Sequence, residues 1–153
     1  SAKSAEQFAG LFEALEEISE TFHSVVGLNP KEALLIFNQY YRRAETTFQP
    51  EMVAALLRDF PADELVVHVA GGAYAGVRGG APIYVPGRYL EKPLISVGAG
   101  DNFNSGYCLG KLCGLGLAEC AFLGNEAAAL FMEHGQAATL EQLLSSIEHA
   151  SCI

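Results

Sequence analysis

Apolar residues recur every three or four positions along Ser4–Phe22, at Phe8, Leu11, Phe12, Leu15, Ile18 and Phe22. This spacing predicts an amphipathic helix, and Ser4 with Gln7 makes a capping-box pattern at its start. The run Val25-Val26-Gly27-Leu28, bounded by turns, fits a buried strand. Asn29-Pro30 opens a second helix that runs to about Arg43, with Pro30 suited to the first helical position. A third helix is expected from about Pro50 to Phe60. Leu65–Ala70 reads as a second apolar strand. Both strands are apolar on each face, as members of a parallel sheet covered by helices would be. Ala73–Val77 and Pro82–Pro86 flank Arg78-Gly79-Gly80-Ala81, which predicts a hairpin. A short strand near Pro93–Ser96 is expected to lead into a glycine-rich turn. Helices then follow at about Asp101–Gly114, Leu117–Glu133 and Leu140–Ala150.

The order of elements predicts an α/β layered arrangement in one domain spanning the whole chain. Two long strands and a hairpin can hardly use the apolar faces of six helices. The chain is therefore expected to pack against something further, or to self-associate through exposed apolar sheet edges. Composition agrees: half of the 153 residues are hydrophobic and the mean hydropathy is +0.22. No apolar run reaches the ~20 residues that a membrane span needs, so no membrane role is expected. The net charge of −9 argues against a nucleic-acid backbone as partner. Cys108, Cys113, Cys120 and Cys152 form no C-x-x-C pair, and no histidine stands at zinc-ligand spacing. They are read as reduced thiols of a cytoplasmic protein. Ser1-Ala2-Lys3 carries neither a methionine nor a signal peptide and reads as a cut end.

The candidate chemistry lies in Gly98-Ala99-Gly100-Asp101-Asn102-Phe103-Asn104-Ser105-Gly106. The first backbone N–H groups of a helix point outward and carry partial positive charge. Glycines let a phosphate approach them closely. An aspartate there is poorly placed to hold phosphate, since like charges repel, but well placed to take a proton from a hydroxyl attacking it. An ordinary turn with a helix cap is the plainer reading of the same residues. Gly106, Gly110 and Gly114 repeat at helical spacing, and Ala121, Gly124 and Ala128 make a small stripe on the next helix. These stripes suit either tight packing or a flat purine.

The segment Ser96–Gly106, then Gly110, Gly114, Gly124-Asn125, Ala127-Ala128-Ala129 and Gly135, resembles the C-terminal signature of the ribokinase-like (PfkB) family of carbohydrate and nucleoside kinases. Upstream, Gly27-Leu28-Asn29-Pro30-Lys31-Glu32-Ala33 is similar to the family's Asn-x-x-Glu motif, and Leu65–Ala75 takes the place of its nucleotide-site strand and turn. The resemblance implies a ribokinase-like three-layer α/β/α fold. Part of a parallel sheet plus a β-hairpin would be present, with helices on both faces. It covers only the C-terminal half of such a kinase; the N-terminal portion with the lid and the sugar-holding residues has no counterpart here.

The resemblance also implies roles. Asp101 would be the general base for the acceptor hydroxyl. The backbone N–H groups of Gly98, Ala99, Gly100 and Asp101 would form an anion hole for the transferred phosphoryl group. Asn29 and Glu32 would organise Mg²⁺ and its waters near the phosphates of ATP, with Glu32 acting on the metal through water. Asn29, Pro30 and Glu32 equally make a capping box that needs no metal. Gly72, Ala73, Gly124, Asn125 and Ala128 would lie near adenine and ribose.

Two departures stand out. The chain has His68-Val69-Ala70-Gly71-Gly72 where the family usually has Thr-x-Gly. His68 is read either as a core-strand histidine or as a residue facing the nucleotide. Ile95-Ser96-Val97 replaces a frequent Asp-Thr-Thr, which sets potassium activation in doubt because Ile95 cannot ligate a cation. The expected reaction is ATP-dependent phosphoryl transfer to a hydroxyl of a sugar or related alcohol, with little activity from this chain alone. The alternatives are a non-catalytic nucleotide-binding or assembly module, and a nucleoside or vitamin-precursor kinase of the same fold.

Overall fold

The structure, a computed structural model, describes residues 5–150. The capping pair expected from Ser4 begins outside the described residues, and Cys152 also lies outside them. The elements are α1 (Ala5–Thr21), β1 (Val25–Leu28), α2 (Pro30–Tyr41), α3 (Glu51–Asp59), β2 (Glu64–Val69), β3 (Gly72–Val77), β4 (Ile83–Pro86), α4 (Ala99–Leu112), α5 (Leu117–His134) and α6 (Leu140–Ala150). A four-stranded sheet has the order β1-β2-β3-β4. β1 and β2 are parallel, in a register that runs from Val25 opposite Glu64 to Leu28 opposite Val67. β2 and β3 are joined through Ala70 and Gly71 alone, a connection short enough only for antiparallel neighbours. The α/β class and the predicted hairpin are both present.

The chain divides into two compact units, Ser1–Val67 with Tyr74–Ile83, and His68–Ala73 with Tyr84–Ile153. In the first unit, α3 presents Met52, Val53, Leu56 and Leu57 to the core, which also holds Leu65, Val66 and Val67 of β2. The start of the parallel pair is fixed by polar groups. Ser24 donates to Asp63 Oδ2 from its N–H at 2.8 Å and from its hydroxyl at 2.9 Å. The N–H of Glu64 donates to Ser24 O at 2.9 Å, beginning the ladder. These bonds hold the Asp63 carboxyl below the usual aspartate range, the Ser24 N–H contributing most and its hydroxyl next.

In the second unit, α4 and α5 lie close together because glycines remove side chains between them. A Cβ at Gly106 would stand 2.5 Å from the Leu123 carbonyl oxygen, and one at Gly110 would stand 2.9 Å from Cys120 Sγ. The small stripe of α4 therefore serves helix packing. Gly114 does not belong to it: α4 ends at Leu112, and Gly114 follows with φ +72° and open space around it.

The strand expected at Pro93–Ser96 is absent. That segment is irregular, and the N–H groups of Leu94 and Ile95 donate to Met132 O of α5 at 2.8 and 3.4 Å. Its apolar side chains are exposed, Leu94 at 72% and Ile95 at 37%, as is Val97 just after it. The apolar pattern thus marks an exposed surface there, not a buried strand.

Candidate active site

The turn before α4 begins at Gly98, whose φ of +95° is a left-handed conformation that favours glycine. A Cβ there would also stand 3.2 Å from Phe131 Cζ. Asn102, one turn into the helix, holds the Gly98 carbonyl twice: its N–H donates at 3.1 Å and its Nδ2 at 3.0 Å. The Ala99 N–H turns back to Ser96 O at 3.2 Å. The N–H groups of Gly98, Gly100 and Asp101 have no hydrogen-bond partner among the described residues. Asp101 is exposed in the first turn of α4. Its carbonyl accepts from Ser105 Oγ at 2.9 Å, while its carboxylate accepts no hydrogen bond among the described residues. The turn thus presents three uncommitted donors beside an uncommitted carboxylate, with Asn102 and Phe131 holding the backbone in place. Asn102 received no role from the sequence, although an amide one turn inside a helix is the signal for such a bond.

His68 and Phe103 flank this turn. A Cβ at Gly100 would stand 2.8 Å from His68 Nε2, and the His68 and Phe103 ring centroids are 5.4 Å apart. Gly124 of α5 makes room for Phe103, whose ring would stand 2.8 Å from a Cβ at that position. Asn125 is buried and donates from Nδ2 to Val85 O at 3.1 Å and to Pro86 O at 3.4 Å, tying α5 to the end of β4. Gly72 is buried against Tyr84, and a Cβ there would meet the Val85 carbonyl oxygen at 2.6 Å. Ala73 is fully buried and Ala128 half-buried. Gly72, Ala73, Gly124 and Asn125 are thus all engaged in packing or hydrogen bonds within the second unit.

Asn29 and Glu32 belong to the first unit. Asn29 Oδ1 accepts from the N–H groups of Lys31 and Glu32 at 2.9 Å each, and the Asn29 N–H donates to Glu32 Oε2 at 2.9 Å. This is a reciprocal capping box with Pro30 behind the cap. It fixes the carboxylate, and Oε1 of the exposed Glu32 remains outside the cap. No group of three His, Cys, Asp or Glu residues able to hold a metal occurs among the described residues.

A concavity of about 760 Å³ is lined by Arg88, Glu126, His134 and Ser146 among others. Buried Glu126 is paired with Arg88 Nε at 3.2 Å and accepts from Ser146 Oγ. No described helix is long and apolar enough to cross a membrane.

Residues 15–143 match the model of the pfkB family carbohydrate kinases. No curated protein matches the chain. Among solved structures it is similar to the adenosine kinase of Sinorhizobium meliloti, with 27% identity and a TM-score of 0.67 over 96% of this chain and 42% of that one. It shares the fold of the Escherichia coli phosphofructokinase-2 solved with substrates and products, at 22% identity and a TM-score of 0.70, covering 94% of this chain and 45% of that one. It shares it also with an Escherichia coli protein described as a ribokinase II and solved with ATP and Mg²⁺, at 17% identity and a TM-score of 0.68, over 95% and 45%. The chain spans less than half the length of these proteins. A glycine-led turn with free amides and an open aspartate, on a fold these kinases share and within a family match over most of the sequence, gives one assignment: the chain belongs to the pfkB family of carbohydrate kinases.

Proposed function

We propose that the chain carries the phosphoryl-transfer end of an ATP-dependent kinase acting on a hydroxyl of a sugar or nucleoside. The observation that carries this reading is the turn itself: uncommitted N–H groups on Gly98, Gly100 and Asp101 beside an exposed carboxylate without a partner among the described residues. Asp101 takes the proton of the acceptor hydroxyl as its oxygen bonds to the γ-phosphorus. The bond from that phosphorus to the bridging oxygen breaks, and ADP leaves. The amides of the turn stabilise the charge on the equatorial oxygens without reorganising, because Asn102 and Phe131 already hold them. The Ala99 N–H joins this anion hole by exchanging its long bond to Ser96 for a phosphoryl oxygen.

Gly72, Ala73, Gly124, Asn125 and Ala128 shape the nucleoside end, acting through packing and backbone. Asn29 and Glu32 organise the waters of Mg²⁺, which when bound neutralises phosphate charge. No monovalent cation is assigned, since Ile95 offers no ligand. Exposed Leu94, Val97 and Leu112 support packing against a further segment of a longer kinase or self-association. A cytoplasmic location is supported by Cys108, Cys113 and Cys120, which form no disulfide.

The test is Asp101→Asn in the longest polypeptide that carries this chain. Turnover should fall by about 10²–10⁴, the usual weight of a general base, with ATP affinity retained. Turnover near that of the unchanged protein would sink the assignment.

A further inference from the structure

The peptide unit that joins Gly98 to Ala99 is bonded at both ends. Its carbonyl accepts from the Asn102 N–H at 3.1 Å and from Asn102 Nδ2 at 3.0 Å. Its N–H, on Ala99, donates to Ser96 O at 3.2 Å. A peptide is planar and trans, so its C=O and N–H point in opposite directions and turn together. Whatever fixes the Gly98 carbonyl therefore fixes the aim of the Ala99 N–H. The first bond to that carbonyl is one any helix makes, from an N–H four residues on. The second depends on the side chain at position 102. Only Nδ2 serves there, because Oδ1 in its place would set two acceptors together. Gly98 makes the support necessary. It stands at φ +95° and ψ −4° with no side-chain cap, and a glycine restrains its own backbone least. Asn102 is half-buried, which shields the bond partly from water. The two donors also draw electron density onto the Gly98 oxygen. Hydrogen bonds in series polarise one another, so the N–H at the far end of the same amide becomes a stronger donor.

We infer that Asn102 is a positioning residue of the phosphoryl site. Through the Gly98–Ala99 peptide it aims and polarises the Ala99 N–H for the transferred phosphoryl group, without touching the nucleotide itself. The inference rests on reading the Gly98–Asp101 turn as that site. Ala99 is the donor that most needs such support. Its bond to Ser96 must be exchanged on binding, whereas the N–H groups of Gly98, Gly100 and Asp101 are uncommitted among the described residues. Position 102 therefore requires a side chain that donates to the carbonyl four residues back, and size alone does not serve. Threonine meets this requirement through Oγ1. Leucine, close to asparagine in shape, does not.

The experiment is calorimetric titration of the 153-residue chain with Mg·ATP and, separately, with Mg·ADP. It is run on the unchanged protein, Asn102→Leu, Asn102→Ala and Asn102→Thr. ADP lacks the group that the Ala99 N–H holds, so it reports any distortion of the rest of the site. Thermal melting checks that each variant is folded, and alanine stands in should leucine not fit. The leucine and alanine variants should weaken Mg·ATP about three- to tenfold, the weight of one hydrogen bond. They should leave Mg·ADP unchanged, and Asn102→Thr should recover most of the loss. Equal Mg·ATP affinity in all the proteins would overturn the role of Asn102 while the kinase reading stands. Parallel losses for ATP and ADP, or a threonine variant as weak as the alanine one, would make Asn102 a helix residue alone and overturn it too. An unchanged protein that binds neither nucleotide would overturn both.

Discussion

One methyl group added at Gly106 and at Gly10 should move stability in opposite directions. Both glycines lie inside helices, where alanine is favoured by about 1 kcal/mol. At Gly10, in α1, nothing lies within 4 Å of the new Cβ, so Gly10→Ala should gain about 0.5–1 kcal/mol. At Gly106 the new Cβ would stand 2.5 Å from the Leu123 carbonyl oxygen and 2.8 Å from the Ala127 Cβ. The first obstacle is backbone, so α4 and α5 must separate. Overpacking of this kind costs about 1–3 kcal/mol, which offsets the helical gain of about 1 kcal/mol and leaves a net loss of about 0–2 kcal/mol. For a chain of this size each kcal/mol moves the midpoint by about 2–4 °C. Gly10→Ala should thus melt about 1–4 °C higher than the unchanged protein and Gly106→Ala as much as about 8 °C lower, by far-UV circular dichroism. A Gly106→Ala protein that gains stability as Gly10→Ala does would refute close helix contact as the reason for that glycine.

Ser24→Ala removes the hydroxyl from Asp63 and should destabilise the chain by about 1 kcal/mol near neutral pH. Because Asp63 is held below its ordinary range, its contribution is present above the unfolded value and lost as pH falls through the folded one. The gap between variant and unchanged protein in urea unfolding should therefore narrow in strong acid, where the bond from the Asp63 N–H to the Ser24 hydroxyl remains; a constant gap would contradict the charge-linked account. Glu32→Gln keeps an acceptor for the Asn29 N–H, so the cap and the melting temperature should persist within about 0.5 kcal/mol. The Mg²⁺ concentration needed for nucleotide binding should rise, and an unchanged Mg²⁺ dependence would leave Glu32 as a cap alone.

Features set by neighbours in sequence were legible before the structure. The capping box of Asn29, Pro30 and Glu32 closes within one turn and was read as such. The helices followed their apolar spacing, and the hairpin around Gly79-Gly80 followed its turn residues. Features set by distant neighbours were not legible. An apolar run at Pro93–Ser96 reads as a strand, but its backbone finds Met132 instead of a ladder. The spacing of Gly106, Gly110 and Gly114 suggested one face, yet α4 ends before the third. His68 and Gly100 meet across the fold, and no local pattern signals a contact between residues so far apart. The Gly98–Asp101 turn was readable as a cradle from its glycines. Which of its amides are committed became clear only with Ser96 and Asn102 in place.

The most direct test of the central claim is amide-resolved NMR of the ¹⁵N-labelled chain during titration with Mg·ATP. The account predicts that the largest shifts fall on Gly98, Gly100 and Asp101, whose N–H groups are uncommitted among the described residues, and that adenosine alone does not reproduce them. Mg·ATP shifts that leave these three amides unmoved would contradict it.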